Sequence, residues 1–384
     1  MTAMENNNKT LNVPNLRFPD FSGEWEKFEL HKVASLSKGT GISKEQLSEE
    51  GLPCILYGEL YTKYRSEVIN EIISKTNLEP KKLVKSQTND VIIPCSGETS
   101  IDIATARCVK QSDVLLGGDL NIIRLKGEHD GAFFAFQLNG KRKYDIARVA
   151  QGVSVVHLYG EHLKRVKVNY PSITEQKKIS SLLTLVDQRI ETQKKVIEDL
   201  KRLKYAISKR VFENHGSSNS MFLGKVADIY QPQTIPTSWL NDTLQYPVYG
   251  ANGVIGKYSE YNHENSQICI ACRGNTCGTV NYSEPKSWIT GNAMVINTDR
   301  YDVNKRFLFH QLCTVNYSPL ISGSGQPQIV RAPLEKMKIW FPNKDVQERI
   351  ATLLDTIEDR ILIEETALVL IGKTKQYILS QMFI

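Results

Sequence analysis

Two stretches of the chain carry apolar residues at three- and four-residue steps over a far greater length than an ordinary helix. In the first, Ile179, Leu183, Val186, Ile190, Ile197, Leu200, Leu203, Ile207 and Val211 follow one another, with Gln193 as the one polar gap. That spacing lays a stripe along one helix face. Pro171 precedes the run, and Ser172 with Glu175 three residues on has the pattern of a capping box. No breaker follows until Gly216. About 38 residues at 1.5 Å rise predict a rod of roughly 57 Å. A rod that long buries its stripe only against a partner. The second stretch runs from about Asp345 to Phe383.

The two openings are copies. Pro171-Ser-Ile-Thr-Glu-Gln-Lys-Lys-Ile179 returns as Pro342-Asn-Lys-Asp-Val-Gln-Glu-Arg-Ile350. At the same offset Gln176 falls on Gln347, Leu183 on Leu354, Val186 on Ile357, Ile190 on Ile361 and Ile207 on Ile378. An ungapped match over about 45 residues marks an internal duplication. Ile179, Leu183, Val186, Ile190, Ile197 and Leu200, with Ile350, Leu354, Ile357 and Ile361, are the expected seam where the rods pair or dock a partner. Arg165–His215 holds 12 bases against 6 acids, and Glu335–Ile384 holds 7 against 8. That bias favours pairing of the two rods as an antiparallel coiled coil.

The regions before each rod are mixed. Leu52–Tyr57, Asp90–Cys95 and Leu120–Leu125 read as strands, Tyr61–Arg65 as a loop, and Gly131–Leu138 as either helix or extended chain. After a short linker, Gly216–Ser220, the pattern echoes: Tyr249-Gly250 stands for Tyr57-Gly58, Ile268–Thr276 for Val91–Thr99, and Asn292–Ile296 for Asp119–Ile123. The expected fold is therefore α+β: two mixed α/β regions and two long helices in an internal pseudo-two-fold repeat, with the α/β regions at opposite ends of the pair. The expected boundaries are a disordered tail at 1–12, globular regions at 13–164 and 216–335, and helical segments at 165–215 and 336–384.

Composition changes little in this picture. The chain has 384 residues, 41% hydrophobic and 23% charged, with net charge +6. These values fit a globular protein with two or three domains that tolerates a polyanionic partner. No apolar run reaches the roughly 20 residues of a membrane span, and the polar start lacks a signal core. Seven cysteines without framework spacing fit free thiols in a cytoplasmic setting.

Catalytic patterns fail one by one. Gly250-Ala-Asn-Gly-Val-Ile-Gly-Lys257 has the wrong spacing for a phosphate loop, and Tyr258 stands where Ser or Thr is required. Pro19-Asp20 with Glu24 and Lys27 is too compressed for a nuclease triplet. Cys269, Cys272, Cys277 and His263 are zinc-ligand types, but Ile268–Cys272 reads better as a buried strand. The dinucleotide glycine fingerprint is missing. So is the Asn/Asp-Pro-Pro-aromatic motif of amino-methyltransferases. No catalytic residue and no metal site is assigned, which disfavours a self-contained enzyme.

What remains are loop residues suited to nucleic acid. In the first region these are Lys38, Tyr61, Lys63, Tyr64, Arg65, Arg107, Lys141, Arg142 and Lys143. In the second they are Asn252, Lys257, Tyr258, Arg273, Asn275, Gln326 and Gln328. Arg and Lys neutralise phosphates or read guanine, and Asn and Gln read adenine. Tyr249–Tyr258 is the strongest single stretch, because its glycines allow close backbone approach.

The arrangement resembles the specificity subunit of type I restriction–modification systems, over nearly the whole chain after the tail. The paired Pro-x4-Gln-x2-Ile-x2-Leu-Leu stretches carry the resemblance. Leu16-Arg-Phe-Pro-Asp-Phe-Ser-Gly-Glu-Trp25 and Gly325-Gln-Pro-Gln-Ile329 support it. Gly152-Val-Ser-Val-Val156 departs from it by lacking the glutamine. The resemblance implies two target recognition domains on the two halves of a bipartite double-stranded DNA site. It implies helices that act as spacer and dock two methyltransferase subunits, and restriction subunits that complete the nuclease. S-adenosylmethionine, ATP and magnesium would belong to those partners, leaving this chain non-catalytic. The competing expectation is a helical structural adapter that binds protein and reads no DNA.

Overall fold

A computed structural model describes residues 11–152, 155–213, 219–323 and 325–384. Most of the polar tail (1–10), Val153 and Ser154 of the first loop, and residues 216–218 of the expected linker lie outside the described residues. The chain forms two compact units, one of residues 1–194 with 366–384 and one of residues 195–365.

Both long helices are present, as Ile173–Glu213 and Lys344–Gln381. The first unit contains the start of one and the end of the other. There Lys375 Nζ reaches Asp187 at 2.5 Å and Glu67 at 2.6 Å. The second unit contains the complementary halves, joined by Lys201–Glu365 at 2.6 Å and Lys204–Glu358 at 3.2 Å. Numbers rise along one helix as they fall along the other, so the pairing is antiparallel. Asp187–Lys375 and Glu358–Lys204 are related by the same offset that relates Gln176 to Gln347.

The globular parts share a strand order over four strands of their main sheets. In the first unit a sheet runs Ala34–Lys38, Leu120–Leu125, Asp90–Pro94, Arg107–Val109 and Val68–Ile69. In the second the order is Asp228–Tyr230, Ala293–Asn297, Ile268–Ala271 and Val280–Tyr282. A second sheet in each unit contains a parallel pair, Leu52–Ile55 with Leu115–Leu116 and Tyr246–Gly250 with Trp288–Ile289. An antiparallel ribbon joins the region's first strand to the strand entering the long helix: Glu26–Glu29 with Lys167–Tyr170, and Ser220–Phe222 with Lys338–Trp340.

The undecided segment is a helix, Gly131–Asn139, with Phe133, Phe134 and Phe136 fully buried. Its counterpart is Lys305–Leu312. The expected loop at Tyr61–Arg65 is corrected: Glu59–Thr62 is helical. Buried Glu59 accepts from the Leu56 amide at 2.9 Å and pairs with Lys63 at 2.7 Å, which stabilises a turn of helix there.

One side chain explains the duplicated Pro-x4-Gln signature. Gln176 Nε2 donates to the Pro171 carbonyl at 2.8 Å, and its Oε1 accepts from the Asp130 amide at 3.0 Å. Gln347 Nε2 donates to the Pro342 carbonyl at 2.8 Å, and its Oε1 accepts from the Asn304 amide at 2.9 Å. Asp130 and Asn304 are the N-caps of the two equivalent inner helices. Each buried glutamine thus ties the entrance of a long helix to the start of the helix behind the sheet. The expected capping box is only half made. The Glu175 amide meets Ser172 Oγ at 3.5 Å, while the Glu175 carboxylate is taken by Arg17 through two 2.8 Å bonds.

The helix–sheet junctions differ in chemistry. In the first unit, burial raises the Asp187 carboxyl and neighbouring Glu67 raises it further. In the second unit, Arg306 bonds Asp355 at 2.8 Å and Glu358 at 2.6 Å, and His310 Nε2 meets Asp355 at 2.7 Å. The His310, Asp355 and Glu358 ligand atoms lie within 4.8 Å of one another. The Arg306 guanidinium supplies the positive charge among them.

The end of the chain belongs to the first core. Phe383 packs on Phe133 at 5.1 Å and Trp25 at 6.4 Å between ring centroids. Lys141 and Arg142 donate to the carbonyls of Ser380 and Ile384. Two outcomes follow. Gln176→Ala leaves a buried amide and a buried carbonyl unpaired and lowers stability by about 1–3 kcal/mol in chemical denaturation. Phe383→Ala costs about 3–5 kcal/mol. Hydrogen exchange should then show lost protection over 131–139 and unchanged protection over 268–297.

Candidate nucleic-acid interface

In each globular part the ends of the central strands meet at one face. In the first, Tyr57 and Gly58 follow one strand, Ser96 and Gly97 another, and Lys38 closes a third. The Tyr61 hydroxyl donates to the Ser96 carbonyl at 3.0 Å. These loops line two adjoining clefts of about 690 and 710 Å³, which share Lys44, Tyr57, Gly58 and Thr62. Exposed Tyr57, Tyr61, Tyr159 and Val155 give the face aromatic and apolar surface. Lys38 Nζ lies 6.0 Å from the Tyr159 ring centroid. Clefts with aromatic walls and flanking cations suit nucleic acid.

In the second unit two loops interlock at the matching place. Arg273 bridges Gln328, the Gly274 amide donates to the Pro327 carbonyl at 2.9 Å, and the Ile329 amide donates to the Cys272 carbonyl at 3.0 Å. The contacts bring Arg273, Asn275, Gln326 and Gln328 together, all exposed. The Tyr249–Tyr258 stretch is a hairpin, Tyr246–Gly250 against Gly253–Tyr258, in the other sheet. Asn252 sits exposed at its turn and Lys257 exposed on its second strand. Tyr258 stacks on Trp239 at 6.0 Å and meets Trp288 edge-on at 5.5 Å.

Of the remaining residues chosen from sequence, Arg107 lines the first cleft and Lys63 the second. Arg107 is buried, and its guanidinium donates to the Tyr64 and Ala106 carbonyls. Tyr64 is buried and its hydroxyl accepts from the Ile73 amide. The polar group of Tyr64 serves backbone inside the fold, while Arg107, though buried, also lines the first cleft. Lys63 holds Glu59 and Ser74, and Arg65 is exposed beside it. Lys141 and Arg142 cap the chain's end, and Lys143 is half-buried in a short helix.

On the long helices, Ile179, Leu183, Ile197, Leu354 and Ile361 are buried, while Val186, Ile190, Leu200, Ile350 and Ile357 are half-buried. Leu203 of the stripe is exposed, and the other exposed apolar positions include Leu185, Val369 and Tyr377 in the first unit and Tyr205, Leu362 and Ile363 in the second. The rest of the stripe is buried or half-buried.

The loop equivalence could not be read from residue types. Gly152 (φ +125°) and Gly323 (φ +93°) both take the left-handed region, and an added Cβ would strike the carbonyl three residues on, of Val155 and Gln326. The Leu158 amide donates to the Cys95 carbonyl at 2.8 Å, as Ile329 does to Cys272. Val155 therefore stands where the other half has Gln326, and His157 where it has Gln328. His157 and Tyr159 escape a reading of residue types for that reason, and Lys44, Tyr57 and Ser96 join them only through the clefts that the fold assembles.

The cysteine set does not converge. Cys269 packs with Tyr249 on one side of its strand and Cys272 with Ile268 and Ile270 on the other. Burial pushes the Cys269 thiol up to about 12 and lowers His263. Among the described residues no helix is long and apolar enough to cross a membrane.

Comparison with known proteins agrees with this architecture. The family model for the type I restriction modification DNA specificity domain matches residues 22–202 and 217–371. The type I restriction enzyme EcoprrI specificity subunit of Escherichia coli is 29% identical over 113 residues, 29% of this chain and 28% of that one. Another match of 139 residues spans 36% of its relative's length. The MjaVIII specificity subunit of Methanocaldococcus jannaschii is 21% identical over 373 residues, 84% of each chain. Among solved structures, the type I restriction–modification S subunit from M. genitalium aligns with TM-score 0.69 at 16% identity. It covers 97% of this chain and 99% of that one. A chain from a type I complex-assembly study aligns with TM-score 0.57 at 15% identity, covering 94% and 97%. At these identities the structural likeness concerns the fold.

Arg273→Ala or Lys257→Ala should weaken duplex DNA binding about three- to tenfold. The thermal midpoint should stay unchanged, with binding measured by fluorescence anisotropy and stability by scanning calorimetry.

Proposed function

Because the chain belongs to the type I restriction modification DNA specificity family, both halves matching its model, we propose that it is the non-catalytic DNA-recognition subunit of a type I complex. The observation that carries this reading is the pair of equivalent strand-end faces, each with exposed hydrogen-bonding, cationic or aromatic side chains. Each face reads one half of a bipartite double-stranded site, through the major groove. The readers are drawn from Lys38 and Tyr61 with the newly placed Tyr57 and Tyr159 in one half. In the other they come from Arg273, Asn275, Gln326 and Gln328, with Asn252, Lys257 and Tyr258 on the hairpin.

The long helices fix the gap and dock two methyltransferase subunits. Their buried stripe holds the helices together, so the docking surface is the exposed apolar set that includes Leu185, Tyr205, Leu362 and Tyr377. Restriction subunits join the complex in the cytoplasm. S-adenosylmethionine, ATP and magnesium act in the partners.

Co-expression with the methyltransferase partner, followed by mapping of methylated bases in the host DNA, tests the reading. A split motif with a constant gap is expected. A single continuous motif would overturn it. No new methylation, together with no sequence-dependent binding by the assembled complex, would restore the adapter reading.

A further inference from the structure

The duplicated loop that carries Gln328 in the second half carries His157 in the first, on the same backbone. Val156 and His157 pair with Gly97 and Ser96, and His157 exchanges two backbone hydrogen bonds with Gln151 at 2.7 and 2.9 Å. Its ring is exposed at the rim of the cleft, beside Tyr159 at 6.2 Å between centroids. Ser96 Oγ donates to Asp119 Oδ2 at 3.2 Å, and the same oxygen lies 3.4 Å from His157 Nδ1.

We infer that His157 is a base-reading, specificity-determining residue of the first half, whose outward Nε2 accepts a hydrogen bond from an exocyclic amino group, adenine N6 or cytosine N4. The inference rests on the recognition role proposed above. The hydroxyl proton of Ser96 is committed to Asp119. Ser96 Oγ therefore meets the imidazole with a lone pair, so Nδ1 carries the ring proton and Nε2 is left as the acceptor. In the major groove only adenine N6 and cytosine N4 offer donors.

The nearest charge suits a base edge at this position. Asp119 accepts from the Ser96 hydroxyl directly behind the ring, and a carboxylate there favours an amino edge. Glu98 and Asp102 share the first cleft with Lys44 and Arg107, which remain for phosphates. Val155, 53% exposed where the other half has Gln326, adds an apolar contact suited to a thymine methyl. Gln328 has both a donor and an acceptor and reads adenine on two atoms. The same loop therefore selects different bases in the two halves.

The test uses the assembled complex and duplexes in which each base pair of the wild-type methylation motif is changed in turn, read by anisotropy. His157→Ala should bind the cognate site three- to tenfold more weakly and lose discrimination at one base pair of one half-site. Discrimination in the other half-site and the thermal midpoint should be unchanged. Ser96→Ala, which frees the ring to present Nε2–H, should extend acceptance at that base pair to guanine. His157→Gln should restore part of the affinity. Discrimination by His157→Ala equal to wild type in both half-sites overturns the assignment while leaving the recognition role standing. A wild-type complex without sequence discrimination overturns both.

Discussion

Each half of this protein depends on one glutamine amide that makes two hydrogen bonds at once. Gln176 and Gln347 are both 1% exposed. Their donors close on the carbonyl of the proline five residues earlier, and their acceptors take the N-cap amide of the helix behind the sheet. A buried polar group of this kind is costly when unpaired and specific when satisfied. It joins three elements, the entering ribbon, the inner helix and the long helix, through a group that no apolar residue can replace.

Around that constraint the two halves agree in frame and differ in fastening. Asp187 with Lys375 and Glu358 with Lys204 occupy equivalent sites on the helices. The groups that meet them from the sheet side are Glu67 in one unit and Arg306 with His310 in the other. The first junction brings two carboxyl groups to one lysine. The second sets a guanidinium and an imidazole against two carboxylates. The greater acidity of the second helix is thus spent partly on the basic face of its own globular region, and the pairing of the helices uses only part of it.

The same division holds at the strand ends. Backbone hydrogen bonds from Leu158 and Ile329, and left-handed glycines at 152 and 323, reproduce one loop twice. The side chains it presents have diverged to Val155 and His157 on one side, Gln326 and Gln328 on the other. A repeated frame with exchangeable contacts fits the proposed reading of two different half-sites.

The sequence alone determined the duplication, the two long helices, most of the strands and the α+β class. Each of these rests on local periodicity or on a constant offset, which survive without knowledge of contacts. It also placed Arg273 at the exposed end of a buried strand, where the structure has it. It could not show that the polar groups of Arg107 and Tyr64 serve backbone carbonyls and amides inside the fold, nor that Lys141 and Arg142 donate to Ser380 and Ile384, more than 200 residues away. It could not find His157 or Ser96. Their meaning comes from a β-bridge between loops 61 residues apart. Only tertiary structure decides such pairings, because a side chain's chemistry is set by the groups that use up its hydrogen bonds.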